Sequence, residues 1–297
     1  MPRAYVILNP RAGRWPQGGD EEAFRRLLRE YGWPCELALT RAPGEATRLA
    51  RAAAERGEDL VIAAGGDGTV HEVVNGLAGS ETALAILPLG TENILARDIG
   101  VPRQLEAACE SLRMGQVQTI DLGRTPRRYF LLMAGVGFDA QVVRETSLRW
   151  KRYFRSLTYF LTGLATWCHY RPTPAQVRVD GTENNLTVWG VIISNATRYA
   201  WRVRIAPTAS LTDGRLDVLA FTAPTPLAFA RDVLGAILTG RMRGKGIQHW
   251  TGREIVVQPA RPLPVQLDGE LVEEPKLRFT LVPQALRLLR PTPAFAI

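Results

Sequence analysis

Leu60-Val61-Ile62-Ala63-Ala64-Gly65-Gly66-Asp67-Gly68-Thr69-Val70-His71-Glu72-Val73-Val74-Asn75-Gly76-Leu77 is an apolar run that breaks on Gly-Gly-Asp-Gly-Thr and passes straight into a helical pattern. A short apolar run bounded by glycines predicts a buried strand. Glycines at its C-terminal end let the backbone approach a ligand closely or adopt positive φ. The helix expected over Val70–Leu77 would turn its unpaired N-terminal N–H groups towards an anion. A nucleotide phosphate suits that arrangement, and Asp67 beside it can hold Mg²⁺ or order water. An ordinary strand-to-helix turn, with Asp67 or Thr69 as N-cap, uses the same residue types. Repetition along the chain separates the two.

A second strand-to-helix junction, Leu87-Pro88-Leu89-Gly90-Thr91-Glu92-Asn93, follows about two dozen residues later, and Asn9-Pro10-Arg11-Ala12-Gly13 follows the first apolar run. Apolar runs at Tyr5–Leu8, Leu37–Leu39, Leu60–Ala64 and Leu84–Leu87 predict strands. Helical patterns at about Asp20–Tyr31, Gly44–Arg56, Val70–Leu77 and Gln104–Arg113 lie between and after them. Strands apolar throughout that alternate with helices imply a parallel sheet covered on both faces. The C-terminal ends of such strands share one edge, so these three loops, with Thr40 after the second strand, should gather into a ligand edge.

From Tyr129 the pattern changes to short runs at Tyr129–Met133, Gln176–Val179, Leu186–Ile193, Leu216–Phe221, Glu254–Val257, Pro264–Leu267 and Lys276–Leu281. Turn signals at Asp180-Gly181, Asp213-Gly214 and Asp268-Gly269 punctuate them, which predicts an antiparallel sandwich or barrel. Helical stretches from Ser147 to Tyr170 and from Leu227 to Leu238 interrupt that series. The expected fold class is therefore α/β plus all-β: a parallel-sheet nucleotide-binding domain followed by an antiparallel β-sandwich. The boundary is placed near Gly123–Arg128, giving domains at 1–124, with 284–297 as a candidate return, and 125–283.

Composition sets the outer limits. The 37 Lys+Arg less 29 Asp+Glu leave +8 on 297 residues, 46% of them hydrophobic, a globular chain long enough for two domains. Only Lys151, Lys245 and Lys276 are lysines, none near a Gly-rich loop, and no GxxxxGK[ST] string occurs, so a P-loop is excluded. No run of eighteen apolar residues is present, and the apolar start of the chain is too short for a signal peptide. Cys35, Cys109 and Cys168 are too far apart for a disulfide framework or zinc knuckle. The expected setting is cytoplasmic, with a peripheral place at the inner face of the membrane as the variant of that reading.

The strings NPRAG, Thr40 with Gly44-Glu45-Ala46, GGDGTVHEVVNGL, LPLGTENILAR, GVGFDA, LTDGRLDV and LDGE occur in the order found in the diacylglycerol kinase catalytic-domain family. The chain resembles that family from Asn9 to Glu270, and the family includes soluble bacterial lipid kinases with sphingosine and ceramide kinases. GGDGT alone is shared with NAD kinases; HEVVNGL and the late DGE are the specific part. The resemblance implies ATP and Mg²⁺ as cofactors and a lipid hydroxyl as phosphoryl acceptor. It assigns the nucleotide to Asn9, Pro10, Arg11, Ala12, Gly13, Thr40, Gly65, Gly66, Asp67, Gly68, Thr69 and Thr91. It makes Glu270 the base with Asp268 its neighbour, and places a structural Mg²⁺ at the carboxylate of Asp213 and the carbonyls of Ser210 and Arg215. Asp67 is expected to organise metal and water, and domain closure to bring it towards Asp268. These assignments agree with what phosphoryl transfer needs: charge neutralisation, alignment and a base for the hydroxyl. With no lysine available, arginines and backbone amides must face the phosphates.

Other signals weigh less. Gly135-Val136-Gly137-Phe138-Asp139-Ala140 fits a GxGxxA pattern without a clear βαβ unit, and His71-Glu72 fails HExxH because position 75 is Asn75. His71 is expected on a helix surface or in packing. Residues 141–205 hold ten Lys/Arg against three Asp/Glu, +7 of the total +8. Within them, Arg149, Lys151, Arg152 and Arg155 precede or mix with Trp150, Tyr153, Phe154, Tyr159 and Phe160. That suits an interfacial helix on anionic headgroups, or, as the plainer reading, a core helix with snorkelling arginines. Tyr199 and Trp201, where the family usually has a glycine-rich turn, could line the acceptor pocket. A nucleic-acid role lacks any recognised motif. The remaining alternatives are a NAD kinase and a non-catalytic nucleotide- or lipid-binding regulator.

Overall fold

The computed structural model describes residues 4–15, 20–149, 155–197, 203–206 and 209–292, the side chains of 147–149 and 155–161 apart. The chain divides into two compact units, 1–122 with 283–297, and 123–282.

In the first unit β1 (Ala4–Leu8), α1 (Glu21–Glu30), β2 (Cys35–Leu39), α2 (Glu45–Glu55), β3 (Leu60–Gly65), α3 (Asp67–Leu77) and β4 (Ala83–Pro88) alternate without exception. They are followed by α4 (Ile94–Asp98), α5 (Leu105–Arg113) and β5 (Gln116–Arg124). The first four strands order as β2-β1-β3-β4, all parallel. Every residue of β1, β3 and β4 is buried, as strands sandwiched between helical layers must be. The parallel-sheet expectation therefore holds. One boundary differs: α3 begins at Asp67, three residues before the expected Val70, so Asp67, Gly68 and Thr69 form its first turn.

The motif residues after that turn have structural work. The Glu72 carboxylate accepts the N–H of Gly44 at 2.9 Å and of Ala46 at 3.0 Å, capping α2 from outside its own sequence. Gly76 lets α2 and α3 cross closely, since a Cβ there would stand 2.6 Å from the Thr47 carbonyl oxygen and from Ala50 Cβ. His71 is buried against Asn75, which makes it a packing residue.

The second unit contains β6 (Tyr129–Phe130), β7 (Met133–Gly137), α6 (Phe138–Arg149), α7 (Arg155–His169), β8 (Thr173–Val179), β9 (Thr182–Val188), β10 (Gly190–Ser194) and β11 (Leu216–Phe221). Then come α8 (Pro226–Thr239), β12 (Ile247–Gly252), β13 (Glu254–Pro259), β14 (Val265–Leu267), β15 (Glu270–Val272) and β16 (Arg278–Arg290). One sheet places the start of β16 beside β13-β8-β9, and a six-stranded sheet runs β12-β11-β10-β7-β14-β15, with antiparallel neighbours. Val177, Ile255, Val257 and Phe279 from one meet Val136, Val191, Val218 and Leu267 from the other in a single core, so this unit is the expected sandwich. The end of β16 pairs in parallel with β4, within the first unit.

Three expected elements are corrected. Tyr129–Met133 is not one strand: the chain turns at Leu131-Leu132 between β6 and β7. Leu186–Ile193 divides at Trp189 into β9 and β10, which belong to different sheets. Ser147–Tyr170 is not one helix but the end of α6 and the whole of α7, and residues 150–154 lie outside those described. The outer face of the six-stranded sheet is sealed by aromatics: Trp189 stacks on Phe229 of α8 at 4.5 Å, and Phe138 of α6 meets Phe229 and Tyr170 edge-on.

Candidate active site

The loops at the C-terminal ends of β1, β2, β3 and β4 are bonded into one edge. Asn9 lies at the centre: its N–H reaches the Ala64 carbonyl at 2.9 Å and its side-chain amide donates to Thr69 Oγ1 at 3.0 Å. Its side-chain Oδ1 accepts the Arg11 N–H at 2.9 Å, which shapes the Pro10–Gly13 turn. Thr40, after β2, donates its N–H to Leu8 at 2.9 Å. Leu89 and Gly90 both donate to the Gly65 carbonyl, and Arg14 donates to Leu89. The edge expected from the sequence is thus a connected backbone surface.

Its glycines are where chains approach. A Cβ on Gly90 would stand 2.5 Å from the Gly66 Cα, and one on Gly65 2.5 Å from Thr69 Oγ1. A Cβ on Gly13 would lie 3.0 Å from Thr91 Oγ1, bringing Gly13 and Thr91 together. The N-cap of α3 is Gly66, which makes no side-chain cap bond to the first turn of that helix. Asp67 Oδ1 accepts the Ile94 N–H at 2.7 Å, tethering α4 to α3. Asn93, in the left-handed region at φ 49°, clamps Gly90 by donating to its carbonyl and accepting its N–H. Asn93 carries no site assignment in the sequence reading. Its signal was an Asn just before a helix start, a residue type that tolerates αL.

In the second unit Asp268 and Gly269 form the two-residue turn between β14 and β15, with φ of 48° and 87°, the primed turn that Asp-Gly favours. The Asp268 carboxylate accepts three backbone N–H groups, from Leu131 at 2.7 Å, Leu132 at 2.8 Å and Met133 at 2.9 Å. These three bonds tie the Asp268 carboxylate to the corner between β6 and β7. Gln266, fully buried, accepts the Gly269 N–H at 2.7 Å and donates to Asp139 Oδ2 at 2.8 Å. Asp139 of the GVGFDA segment thus braces the turn through Gln266. Half-buried Glu270 pairs with Leu267 across the hairpin.

Asp213 accepts the Arg215 N–H at 3.0 Å and closes an exposed turn with Ser210 ahead of β11. Register places this turn and the Glu270 hairpin on one edge of the six-stranded sheet, through Asp217↔Ser194, Ser194↔Met133 and Ala134↔Leu267. Three strand spacings separate β11 from β14, roughly 14 Å. Ser210, Asp213 and Arg215 are thus not brought together with Glu270 at one centre. Beside the turn, Asp217 is pushed up by burial, against the pull of its 2.6 Å bond to His249. Tyr199 and Trp201, expected near an acceptor pocket, lie outside the described residues.

Comparisons with known proteins agree with this division. Residues 3–125 match the diacylglycerol kinase catalytic domain, and residues 133–290 match the YegS C-terminal NAD kinase beta sandwich-like domain. A Bacillus subtilis (strain 168) protein named "Diacylglycerol kinase" is 30% identical over 282 residues, 91% of this chain and 90% of its own. A Pseudomonas aeruginosa PAO1 protein named "Probable lipid kinase YegS-like" is 34% identical over 283 residues, 93% of this chain and 91% of its own. A crystal structure of a diacylglycerol kinase from Bacillus anthracis str. Sterne shares the fold with a TM-score of 0.74 at 22% identity, covering 99% of this chain and 98% of that one. With both domain models matched in order and relatives aligned over nine-tenths of their length, the chain belongs to the diacylglycerol kinase family of lipid kinases.

Proposed function

We propose that the protein transfers the γ-phosphate of ATP to a hydroxyl of a diacylglycerol-like lipid. The observation that carries the nucleotide half is the uncapped start of α3 beneath the Gly66–Gly90 backbone approach. Amide N–H groups there would hold phosphate oxygens, with Asn9, Thr40 and Thr91 around them. The first unit contains no lysine, so amides and arginines supply what a P-loop lysine would otherwise give. Arg14 is already engaged with the Arg103 carbonyl at 2.5 Å, which leaves exposed Arg11 as the arginine of this loop to reach a phosphate.

Glu270 is assigned as the base. It sits on a hairpin whose turn Asp268 and Gln266 hold in place, so its backbone is fixed where a lipid hydroxyl would approach. Taking that proton as the hydroxyl oxygen attacks phosphorus is the acid–base step phosphoryl transfer requires. Asp268 is a positioning residue in this account, and Asp67 holds the second loop against the first turn of α3.

Among the described residues no group of three or more His, Cys, Asp or Glu could hold a metal. Mg²⁺ is usually carried on nucleotide phosphates with few protein ligands. The Asp213 turn, one carboxylate with the Ser210 and Arg215 carbonyls, is a hard-oxygen donor set that also suits Mg²⁺. A cation there would stiffen the turn ahead of β11. When bound with ATP, Mg²⁺ neutralises phosphate charge.

The test is transfer of labelled γ-phosphate from Mg-ATP to diacylglycerol, monoacylglycerol, ceramide and sphingoid base in mixed micelles, beside NAD. Label in a glycerolipid supports the proposal. Label only in NAD would replace it with a NAD kinase, and label in none would point to a binding protein.

A further inference from the structure

The helix α8 is apolar on two faces, one buried and one exposed. Its buried face carries Phe229, Asp232 and Ala236, whereas Leu227, Leu234, Ile237 and Leu238 face solvent at 75%, 52%, 42% and 77% exposure. The spacing i, i+7, i+10 and i+11 puts all four on one stripe of the helix. Leu164 of α7, 52% exposed, adds to the apolar surface of the same unit, and the Trp167 indole ties α7 to α8 by donating to the Pro226 carbonyl at 2.9 Å. A surface helix normally turns polar residues to solvent, and an exposed apolar stripe of this kind marks an interaction surface.

Charge chooses the partner. From Thr222 to His249 the cations are Arg231, Arg241, Arg243 and Lys245, all exposed, and the only acid is Asp232. Asp232 is 5% exposed and already used: it accepts from Arg231 and from the Gly246 N–H at 3.1 Å, and Gly244 packs directly on its carboxyl group. Asp232 therefore pins the basic loop 240–246 alongside α8, with Gly240 in the left-handed conformation turning the chain back. Leucines projecting from one helix stripe beside a fixed collar of cations suit an anionic bilayer, where apolar side chains enter the acyl boundary and cations meet headgroup phosphates. A second copy of this chain fits worse, because two such faces would oppose Arg231, Arg241, Arg243 and Lys245 with their own kind.

We propose that α8 and the loop after it are a membrane-docking surface, which seats the protein on anionic lipid. This assigns an interfacial element to 226–246; the basic stretch around residue 150 lies largely outside the described residues.

The test uses the full chain without nucleotide or acceptor lipid, so its outcome is separate from that of the kinase assignment. Sedimentation with phosphatidylcholine vesicles containing about one-third phosphatidylglycerol should exceed that with pure phosphatidylcholine by more than about tenfold. Leu234→Asp/Leu238→Asp should lose that binding, and Arg241→Gln/Arg243→Gln/Lys245→Gln should lose its anionic preference, both with melting temperatures near the parent's. Equal sedimentation of parent and leucine variant, or none of the parent, would overturn the proposal. So would a concentration-dependent dimer of the parent that the leucine substitutions dissolve.

Discussion

Asp268 and Glu270 stand two residues apart on one hairpin, and the proposed reaction asks Asp268 to position the turn and Glu270 to take the proton. Truncating Asp268 to Ala would strand three backbone N–H groups at the β6–β7 corner, at on the order of 2–4 kcal/mol. Thermal or urea unfolding of Asp268→Ala should show that loss, while Glu270→Gln melts close to the parent. At the nucleotide edge, Gly90→Ala would force a Cβ onto the Gly66 Cα, costing about 1–3 kcal/mol and weakening ATP binding in a titration. Parent-like melting and ATP affinity in Gly90→Ala would remove the close approach from the account. The cysteines offer a check on burial. Burial pushes the fully buried Cys109 thiol up to about 12, with the nearby Glu106 and Cys35 adding to the shift, while Cys168 is exposed. Maleimide at mildly alkaline pH should label Cys168 in the native protein and Cys109 only on unfolding, as peptide mass spectrometry would read. The Gly-Gly-Asp-Gly-Thr turn was legible because Gly65 and Gly66 answer local steric needs, against Thr69 and Gly90. The Asp268 clamp was not, because its partners lie more than 130 residues away in sequence.

At the scale of elements, the sequence was legible where period and length were decisive. β1, β3 and β4 are apolar throughout and were found to within a residue or two. α4, five residues, and β12, with no apolar alternation, carry too little pattern to be seen. β9 and β10 read as one strand because the switch between sheets is made at Trp189, an apolar residue that continues the run. Only the tertiary structure shows that its indole leaves the strand pattern to reach the Ala223 carbonyl at 2.9 Å and stack on α8. The pairing of α6 with α7 has a pH signature. Burial alone would raise the Glu145 carboxyl, but hydrogen bonds from Gln141, Thr166 and His169 outweigh it and leave the group below its ordinary range. A carboxyl depressed in the folded state stabilises above its unfolded pKa and loses that contribution as pH falls through the folded one. The melting difference between the parent and Glu145→Gln should therefore be largest near neutrality and shrink below about pH 4. A difference that grows on acidification would contradict the assignment.

For the whole molecule, alternation in the first third and short runs afterwards were enough to predict a parallel α/β unit and a sandwich. The charge excess over residues 141–205 centres on a stretch that lies partly outside the described residues; among the described residues, α8 and its loop combine exposed leucines with cations. An amphipathic pattern in sequence does not say which face is buried, and α8 turns a face that would pass for core outward. Family membership fixes the chemistry as that of a lipid kinase; the roles of single residues rest on the geometry of each unit. The most direct test compares phosphoryl transfer from Mg-ATP to diacylglycerol by the parent and by Glu270→Gln, with ATP affinity measured in both. The account predicts that turnover falls by more than about a thousandfold while ATP binding and melting temperature stay near the parent's. Turnover within about tenfold of the parent in Glu270→Gln would contradict it, because the hydroxyl proton would then leave by another route.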